Sequence, residues 1–152
     1  MARLLDGLVA AGPYLVLDLL LPGALGKASG ALAAAAYILF SDGLTGVRFM
    51  HRRSLGKHLM GLRPTRLDDD AVMTPTASAR HNGPLVIGYF GGLPVVGGLF
   101  SRVGSALVLY YEIYRIYTDP QGRRWGDTLA GTHVVAAASP FDAAAPSGSK
   151  RR

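Results

Sequence analysis

The chain has 152 residues, of which 49% are hydrophobic and only 17% are charged. This length suits one domain, and the charged fraction is below the roughly 25% that is usual for soluble proteins. The formal net charge is +6 and there is no cysteine, so disulfides, thiolate metal sites and a cysteine nucleophile are excluded. Because the basic residues flank apolar segments, we interpret them as membrane-topology charges beside anionic lipid and expect no nucleic-acid partner.

Four apolar stretches predict four membrane-spanning helices. In chain order they are residues 4–21, ended by Pro22 and Gly23, then about 29–44, 83–100 and 101–118. A helix needs roughly 20 residues to cross the hydrocarbon core, so we expect the last three spans to tilt or to thin the bilayer locally. The sequence therefore predicts an all-α, polytopic membrane helical bundle of about four transmembrane helices.

The basic residues predict the topology of this bundle. With four spans, Lys27 and Arg102 fall on one side of the membrane, and the other fourteen of the 16 Lys and Arg residues fall on the opposite side. Basic residues concentrate on the cytoplasmic face, so both termini are predicted to be cytoplasmic. A three-span arrangement would export the GRRW and SKRR segments, which the same charge bias disfavours.

The segment RRSLGKHLMGLR predicts a short amphipathic helix. Leu55, Leu59 and Leu62 share one helical stripe, while Arg53 and Lys57 point the other way. Such a helix would lie on the inner membrane surface with its cations toward lipid headgroups, or pack on the spans of the protein, and the two are not exclusive. The predicted interfacial basic motif comprises Arg53, Ser54, Lys57 and Arg63.

Three further features lie outside the predicted spans. The acidic triplet at residues 68–70 is interpreted as a solvated loop, because three adjacent carboxylates point in different directions and no further cation ligands are nearby. Thr74 and Pro75 predict the N-cap and first residue of a short helix that continues through Arg80. Residues 1–136 are predicted to form the transmembrane domain, and residues 137–152 a disordered basic tail.

Three stretches together resemble a known family. ARLLDGLV, RRSLGKHLMGLR and RRWGDTLAGTHVV are similar in order, spacing and content to the RDD family of small bacterial membrane proteins, named for one arginine and two aspartates. The resemblance covers most of residues 2–135. It implies a multi-pass protein of the bacterial inner (cytoplasmic) membrane and identifies Arg3, Asp6 and Asp127 as the family triad.

The triad has two interpretations. Arg3 and Asp6 are three residues apart and share a helix face, and Asp127 would follow the last span on the same side of the membrane. One guanidinium can bind two carboxylates, so the triad can be a structural clasp. Alternatively, its carboxylates can exchange Arg3 for a cation or proton.

Two other acidic residues are candidates for a proton or cation site. Asp18 lies between leucines farther along the first apolar stretch, either within the membrane or just at its outer interface, depending on where the first span ends. Ionisable groups within a membrane are functional candidates by default. Glu112 lies in the inner half of the last span, with Arg115 three residues later as its predicted ion-pair partner. The histidines show no metal-ligand spacing and no partner nucleophile, so we expect no metal site, cofactor or enzymatic activity.

Two functions follow as hypotheses. The resemblance implies transport, such as cation/proton antiport, and four short helices would need a homo-oligomer to enclose a path. The alternative is a non-catalytic accessory or scaffold subunit of a larger membrane protein complex.

Overall fold

The computed structural model describes residues 1–43, 52–67, 73–92 and 98–137. The chain is mostly helical, which agrees with the all-α prediction in its coarse form. The acidic triplet and the predicted tail from residue 138 onward lie outside the described residues. The elements are α1 (Ala2–Leu20), α2 (Gly23–Phe40), α3 (Leu55–Leu59), β1 (Leu62–Arg66), α4 (Pro75–Asn82), a 3₁₀ helix (Gly83–Gly92), α5 (Gly98–Thr118), α6 (Trp125–Ala130) and β2 (Thr132–Ala136).

Helices α1 and α2 form a closely packed hairpin. α1 ends at Leu20, as the Pro22–Gly23 turn predicts. α2 begins at Gly23 rather than near residue 29, because the Ser29 hydroxyl donates to the Leu25 carbonyl oxygen at 2.7 Å and is satisfied within the helix. A Cβ at Gly30 would lie 2.7 Å from the Tyr14 carbonyl oxygen, so the absence of a side chain there lets the two backbones approach.

The third predicted span differs from a regular α-helix. Its described part is a ten-residue 3₁₀ helix that contacts both α2 and α5. Pro84 has no N–H to donate to the preceding turn, and glycines weaken helix propensity on both sides of it. Ten residues with a 3₁₀ rise of about 2 Å cover roughly 20 Å, less than the hydrocarbon core. α5 begins at Gly98, three residues before its predicted start.

A two-stranded antiparallel sheet was not predicted from the sequence. β1 pairs with β2 in a register that runs from Leu62 opposite Ala136 to Arg66 opposite Thr132. The predicted amphipathic helix is wrong in its extent, because α3 ends at Leu59 and Gly61, with φ of +62°, turns the chain into β1. Leu62 is therefore a strand residue and does not belong to the helical stripe.

The polarity of the interior is unusual. The apolar core is small and consists of Ala10, Ala34, Ala35, Ile38 and Val86, with partly buried neighbours. The largest fully buried side chains are instead mostly polar or charged, while many leucines and tyrosines of α1 and α5 are exposed. Soluble proteins have the opposite distribution, because charged side chains are rarely fully buried and large apolar ones usually are.

Among the described helices, α2 is the one whose length and composition suit a membrane crossing. A third of the α2 residues are buried, and α2 lies near the N-terminus. The core helix of a soluble protein or a signal sequence can have the same length and composition, so this property of α2 is weak evidence by itself.

Candidate functional site

Charged and polar side chains from four helices and from the turn after α2 meet at one end of the α1–α2 hairpin. They come from the first turns of α1, the residues after α2, α3, the last turn of α4 and the first turn of α6. We call this group the ionic cluster. Its members are Arg3, Asp6, Asp42, Lys57, His81, Asn82, Arg124 and Asp127.

Asp6 fastens α3 to the start of α1. Its carboxylate accepts hydrogen bonds from the Ser54 hydroxyl and from the Gly56 backbone N–H, both at 2.7 Å. Ser54 is also the N-cap of α3, where its hydroxyl oxygen accepts from the Lys57 N–H at 3.4 Å. A Cβ at Gly56 would overlap the Ala2 carbonyl oxygen, so this close approach requires glycine.

Asp42 lies at the centre of the ionic cluster and is fully buried. It accepts hydrogen bonds from the Ser54 backbone N–H at 2.8 Å and from the Asn82 side-chain amide at 3.0 Å, and it pairs with the Lys57 ammonium. Burial acts to raise the pKa of Asp42, but the Lys57 ammonium and the Arg3 guanidinium outweigh it and hold that pKa well below its usual range. Asp42 is therefore a carboxylate that neutralises two cations.

His81 connects the two halves of the ionic cluster. Its Nδ1 lies 2.8 Å from an Asp127 carboxylate oxygen, and its Nε2 lies 3.1 Å from Lys57 Nζ and 2.9 Å from an Arg124 guanidinium nitrogen. A carboxylate only accepts and these cations only donate, so we assign the proton of the neutral ring to Nδ1. Burial and the neighbouring Lys57 charge lower the pKa of His81 to about 3, which keeps the ring neutral.

Lys57 is a buried cation that pairs with Asp42 but is repelled by the nearby charge of Arg3. Its side chain is 2% exposed, and burial together with repulsion from Arg3 lowers its pKa to about 7 despite the Asp42 carboxylate. A lysine with this pKa exchanges its proton near neutral pH.

Asp127 fastens α6 to the same cluster. Its carboxylate accepts from the Arg124 backbone N–H at 2.9 Å, which caps the first turn of α6. Burial acts to raise the pKa of Asp127, but the His81 ring and the Arg124 guanidinium lower it below its usual range. A Cβ at Gly126 would overlap the His81 carbonyl oxygen, so α6 and α4 are in contact at a glycine.

The structure brings the predicted triad of Arg3, Asp6 and Asp127 into one cluster but not into one three-way contact. An Arg3 guanidinium nitrogen lies 3.6 Å from Asp6 and another lies 4.0 Å from Asp42, and Arg3 also donates to the Asn82 side-chain oxygen. Asp127 pairs instead with His81 and Arg124. The predicted role of Asp127 as a second direct partner of Arg3 is thus taken by Asp42.

The predicted orientation of the basic motif is wrong. Arg53 and Lys57 are 1% and 2% exposed and do not face outward, because the docking of α3 on α1 turns Lys57 toward Asp42. Ser54 contacts Asp6 within the cluster. Arg63 lies in β1 opposite Val135, and no hydrogen bond or ion pair between described residues joins it to the cluster.

The two other acidic candidates lie outside the ionic cluster. Glu112 is 4% exposed and accepts from the Gly126 backbone N–H at 3.2 Å, so it supports the start of α6. The predicted pair with Arg115 is wrong, because Arg115 pairs with Asp119 at 3.2 Å. Asp18 is half-buried, twelve residues along α1 from Asp6, or about 18 Å, and no hydrogen bond or ion pair joins it to another described residue.

Sequence reasoning missed Asp42, His81 and Asn82 as site residues. Asp42 follows the second predicted span, and the histidines show no metal-ligand spacing, so no local pattern marked either Asp42 or His81 as a site residue. The Thr74 cap of α4 was predicted correctly, because the Thr74 hydroxyl oxygen accepts from the Ala77 N–H at 3.2 Å. The available signal was the position of His81 and Asn82 at the end of the helix that begins at this cap. That cap fixes which residues occupy the last turn of α4.

The ionic cluster is arranged to hold helix ends together. The oxygens of Asp6 and Asp42 are occupied by donors of the chain itself, and no group of three or more potential metal-binding side chains occurs among the residues described. Comparison with protein families, with curated proteins and with solved structures gave no match to this chain. The function is therefore argued from the geometry.

Proposed function

We propose that this chain is a small helical integral membrane protein of the RDD type, in which the ionic cluster is a structural clasp at the cytoplasmic end of a bundle of about four spans. We further propose that it serves as a non-catalytic accessory or scaffold subunit of a larger membrane complex. The observation that carries the proposal is the inverted polarity, with charges buried inside and large apolar side chains outside.

The outward apolar surface supports a lipid environment. On α1, Leu4, Leu8, Leu15 and Leu19 are 62–87% exposed. In water, apolar surface of this extent is unfavourable by about 25 cal/mol for each Å², whereas in lipid it carries no such penalty.

Helix α5 supports the same environment along its whole length. Its 21 residues span about 31 Å, close to the thickness of the hydrocarbon core. One stripe of α5 is apolar and at least 50% exposed from end to end, and it consists of Leu99, Val103, Leu107, Tyr110, Tyr114 and Tyr117. Such a face suits contact with lipid or with an apolar partner helix.

The clasp is favoured over an ion site within one chain for two reasons. A cation that entered the ionic cluster would have to displace Lys57 or Arg3, together with hydrogen bonds that already satisfy Asp6 and Asp42. The alanine-rich core at Ala10, Ala34 and Ala35 lies along the hairpin between this cluster and Asp18. The polar groups of the described chain therefore form no continuous path from the ionic cluster to Asp18.

Membrane insertion is tested with introduced cysteines, which the cysteine-free chain makes unambiguous. In spheroplasts, an impermeant thiol reagent should label Lys27→Cys, on the predicted outer side, but label Ser149→Cys only after lysis. Extraction of the membranes with alkaline carbonate should leave the protein in the pellet. Release by carbonate, or labelling of Ser149→Cys in intact spheroplasts, contradicts the proposal.

The accessory role is tested by purification in a mild detergent. We expect one or more membrane proteins to co-purify in fixed stoichiometry, and Leu107→Arg on the exposed stripe of α5 to abolish that association while leaving the clasp intact. Leu19→Arg, at a leucine of α1 that is also exposed, is the matched control. Recovery of the chain alone, as a monomer, contradicts the accessory role.

Transport of cations or protons by a homo-oligomer is the second candidate. One observation favours it: Asp42, Lys57, His81 and Asp127 form a continuous chain of ionisable groups, and Asp127 lines a cleft of about 580 Å³. Reconstituted vesicles should then show cation-dependent pH changes that His81→Gln reduces and Arg102→Gln does not. A homo-oligomer without such flux contradicts this candidate.

A further inference from the structure

The two strands of the sheet present different outer edges. Just beyond their paired residues, the Leu67 N–H donates to the Gly131 carbonyl oxygen at 2.9 Å. Hydrogen-bonded and non-hydrogen-bonded pairs alternate along an antiparallel ladder, and Pro64 faces Val134 three residues away from that bond. Pro64 and Val134 therefore form a non-hydrogen-bonded pair, and their backbone groups point away from the partner strand.

The outer edge of β1 is closed to a further strand at this pair. Pro64 has no N–H to donate outward, and it is fully buried. Proline at such a position prevents the edge of a sheet from pairing with another chain. The outer edge of β1 is therefore unsuited to extending the sheet.

The outer edge of β2 differs from that of β1. By the same alternation, the N–H and carbonyl groups of Val134 and Ala136 point away from β1. Val134 is half-buried and Ala136 is exposed. These four groups form no hydrogen bond with the part of the chain that the structure describes. Outward backbone groups of this kind are the complement of another extended chain.

The cleft of about 580 Å³ that Asp127 lines also borders β2. Three consecutive residues of β2 line it, namely His133, Val134 and Val135. Because neighbouring side chains of a strand point to opposite faces, three residues in a row line one cavity only where the backbone borders it as well. The cleft therefore gives access to the strand backbone.

The other side of this cleft limits what can bind there. Its lining includes Ile116 in the last turn of α5 and Gln121 in the turn that follows. A single extended segment fits beside β2 in such a cleft. A second copy of the chain would instead have to bring its own sheet, together with the α5 end that flanks it, into the same space.

We propose that the outer edge of β2 binds an extended segment of a partner protein as the third strand of the sheet. The backbone of this segment pairs with Val134 and Ala136, and alternate side chains enter the cleft, where Ile116 and Val135 provide apolar contact. This inference rests on the proposed accessory role. It adds a contact at the cytoplasmic end of the bundle to the contact made by the exposed stripe of α5.

The test is co-purification in mild detergent with a substitution that removes one outward hydrogen-bond donor. Val134→Pro removes the N–H that points away from β1, and Pro64 shows that proline is accommodated at the position directly across the sheet. It should reduce recovery of the partner at least about tenfold. Val134→Ala keeps the N–H and should change recovery by less than about twofold. Thermal unfolding of both variants reports whether the fold is retained.

Amide hydrogen exchange gives a second measurement, which needs no substitution. In the chain purified alone, the amides of Val134 and Ala136 should exchange faster than that of Val135, whose N–H is directed toward β1. In the complex with the partner, the Val134 and Ala136 amides should exchange at least about tenfold more slowly, because a third strand accepts their hydrogens.

Photocrosslinking in membranes identifies the occupant. Benzoylphenylalanine in place of Gln121, which lines the cleft, should crosslink to one short segment of the partner protein. Benzoylphenylalanine in place of Leu129 is the control, because Leu129 is 50% exposed but lies outside the cleft. It should not crosslink to that segment.

Four outcomes overturn the third strand. These are full recovery of the partner with Val134→Pro, equal loss with Val134→Pro and Val134→Ala, unchanged exchange of the two amides in the complex, and a crosslink from position 121 to a second copy of the chain. The accessory role is judged separately. Release of the partner by Leu107→Arg but not by Val134→Pro refutes the third strand alone, whereas a wild-type chain that recovers no partner refutes both proposals.

Discussion

Two regions hold the α1–α2 hairpin together, one through polar contacts and the other through close apolar packing. The first is the ionic cluster, and the second is the alanine-rich core at Ala10, Ala34 and Ala35, which we call the alanine layer. At the cluster, Asp6 and Asp42 are fully buried and bound by directional hydrogen bonds from distant parts of the chain. In the layer, Ala10 and Ala34 are equally buried but contribute little more than close approach.

The difference shows which kind of contact fixes the fold. In the proposed lipid environment, apolar side chains gain little by leaving the lipid, so small residues allow packing and polar groups specify which elements meet. The ionic cluster recruits α3, α4 and α6, whereas the alanine layer joins α1 and α2 to the 3₁₀ helix. We therefore expect substitutions in the cluster to change stability more than substitutions in the layer.

The largest effect is expected at Asp42. Asp42→Asn leaves the Lys57 ammonium and the Arg3 guanidinium buried without their shared carboxylate, which should lower the free energy of unfolding by about 3–5 kcal/mol. Thermal unfolding in mild detergent, followed by circular dichroism, measures the change. The double variant Asp42→Asn, Lys57→Met should recover part of the loss because it removes a stranded charge. An unfolding midpoint like that of the wild type would mean that the cluster is not a clasp.

The alanine layer is tested at glycine. Gly30→Ala places a Cβ 2.7 Å from the Tyr14 carbonyl oxygen, so α1 and α2 must separate, at an expected loss of up to about 3 kcal/mol. Gly12→Ala on the exposed side of α1 is the matched control, since nothing lies within 4 Å of its Cβ. The same unfolding assay compares the two. Equal unfolding midpoints for Gly30→Ala and Gly12→Ala would mean that close packing of α1 on α2 does not stabilise the fold.

The stability that the ionic cluster contributes, unlike that of the alanine layer, should depend on pH. Because burial lowers the pKa of His81 to about 3 from an ordinary 6.5, the unfolded chain binds a proton that the folded chain does not. The contribution of His81 to stability is then fully present above about pH 6.5 and falls by about 2 kcal/mol on going to pH 4.5. Unfolding midpoints over that interval measure the slope.

His81→Gln is the control for this slope. Whatever its stability at pH 7, it should be nearly insensitive between about pH 6.5 and 4.5, because Asp42 and Asp127 have pKa values held below their usual range and contribute only at lower pH. The charged groups that face His81 are Lys57, Arg124, Asp127 and, at 3.9 Å, Asp42. An undiminished slope in the variant would assign the effect to one of those neighbours.

The smallest effect is expected at Asp18. It lies outside both regions and forms no ion pair with another described residue, so Asp18→Asn should change the free energy of unfolding by less than about 0.5 kcal/mol. Vesicle flux is the second measurement. A stable Asp18→Asn variant that loses cation-dependent flux would establish transport and make the accessory role the weaker candidate.

The sequence alone predicted several local features within helices and at their ends. The Pro22–Gly23 turn, the Thr74 cap and the pairing of Arg3 with Asp6 follow from local rules on turns, caps and helix spacing, and each is present. These features depend on residues close together in the chain, which is why they could be anticipated.

The rest depends on contacts between distant residues. Helical periodicity placed Lys57 on an outward polar face, but its orientation is decided by Asp42 and by the contact of Gly56 with α1. The sheet escaped prediction because each strand has five residues and β1 contains Pro64. No local pattern tells that His81 will lie between two cations and a carboxylate.

The pairing of β1 with β2 also imposes an order of assembly during synthesis. Asp6, Ser54, Lys57 and Asn82 are all made before α5, so their contacts can form on the ribosome-bound chain. β1 must wait some seventy residues for β2, as Leu62 pairs with Ala136. During synthesis there is thus a stage at which the contacts of the amino-terminal half can already be made, while β2, the strand that pairs with β1, has not yet been translated.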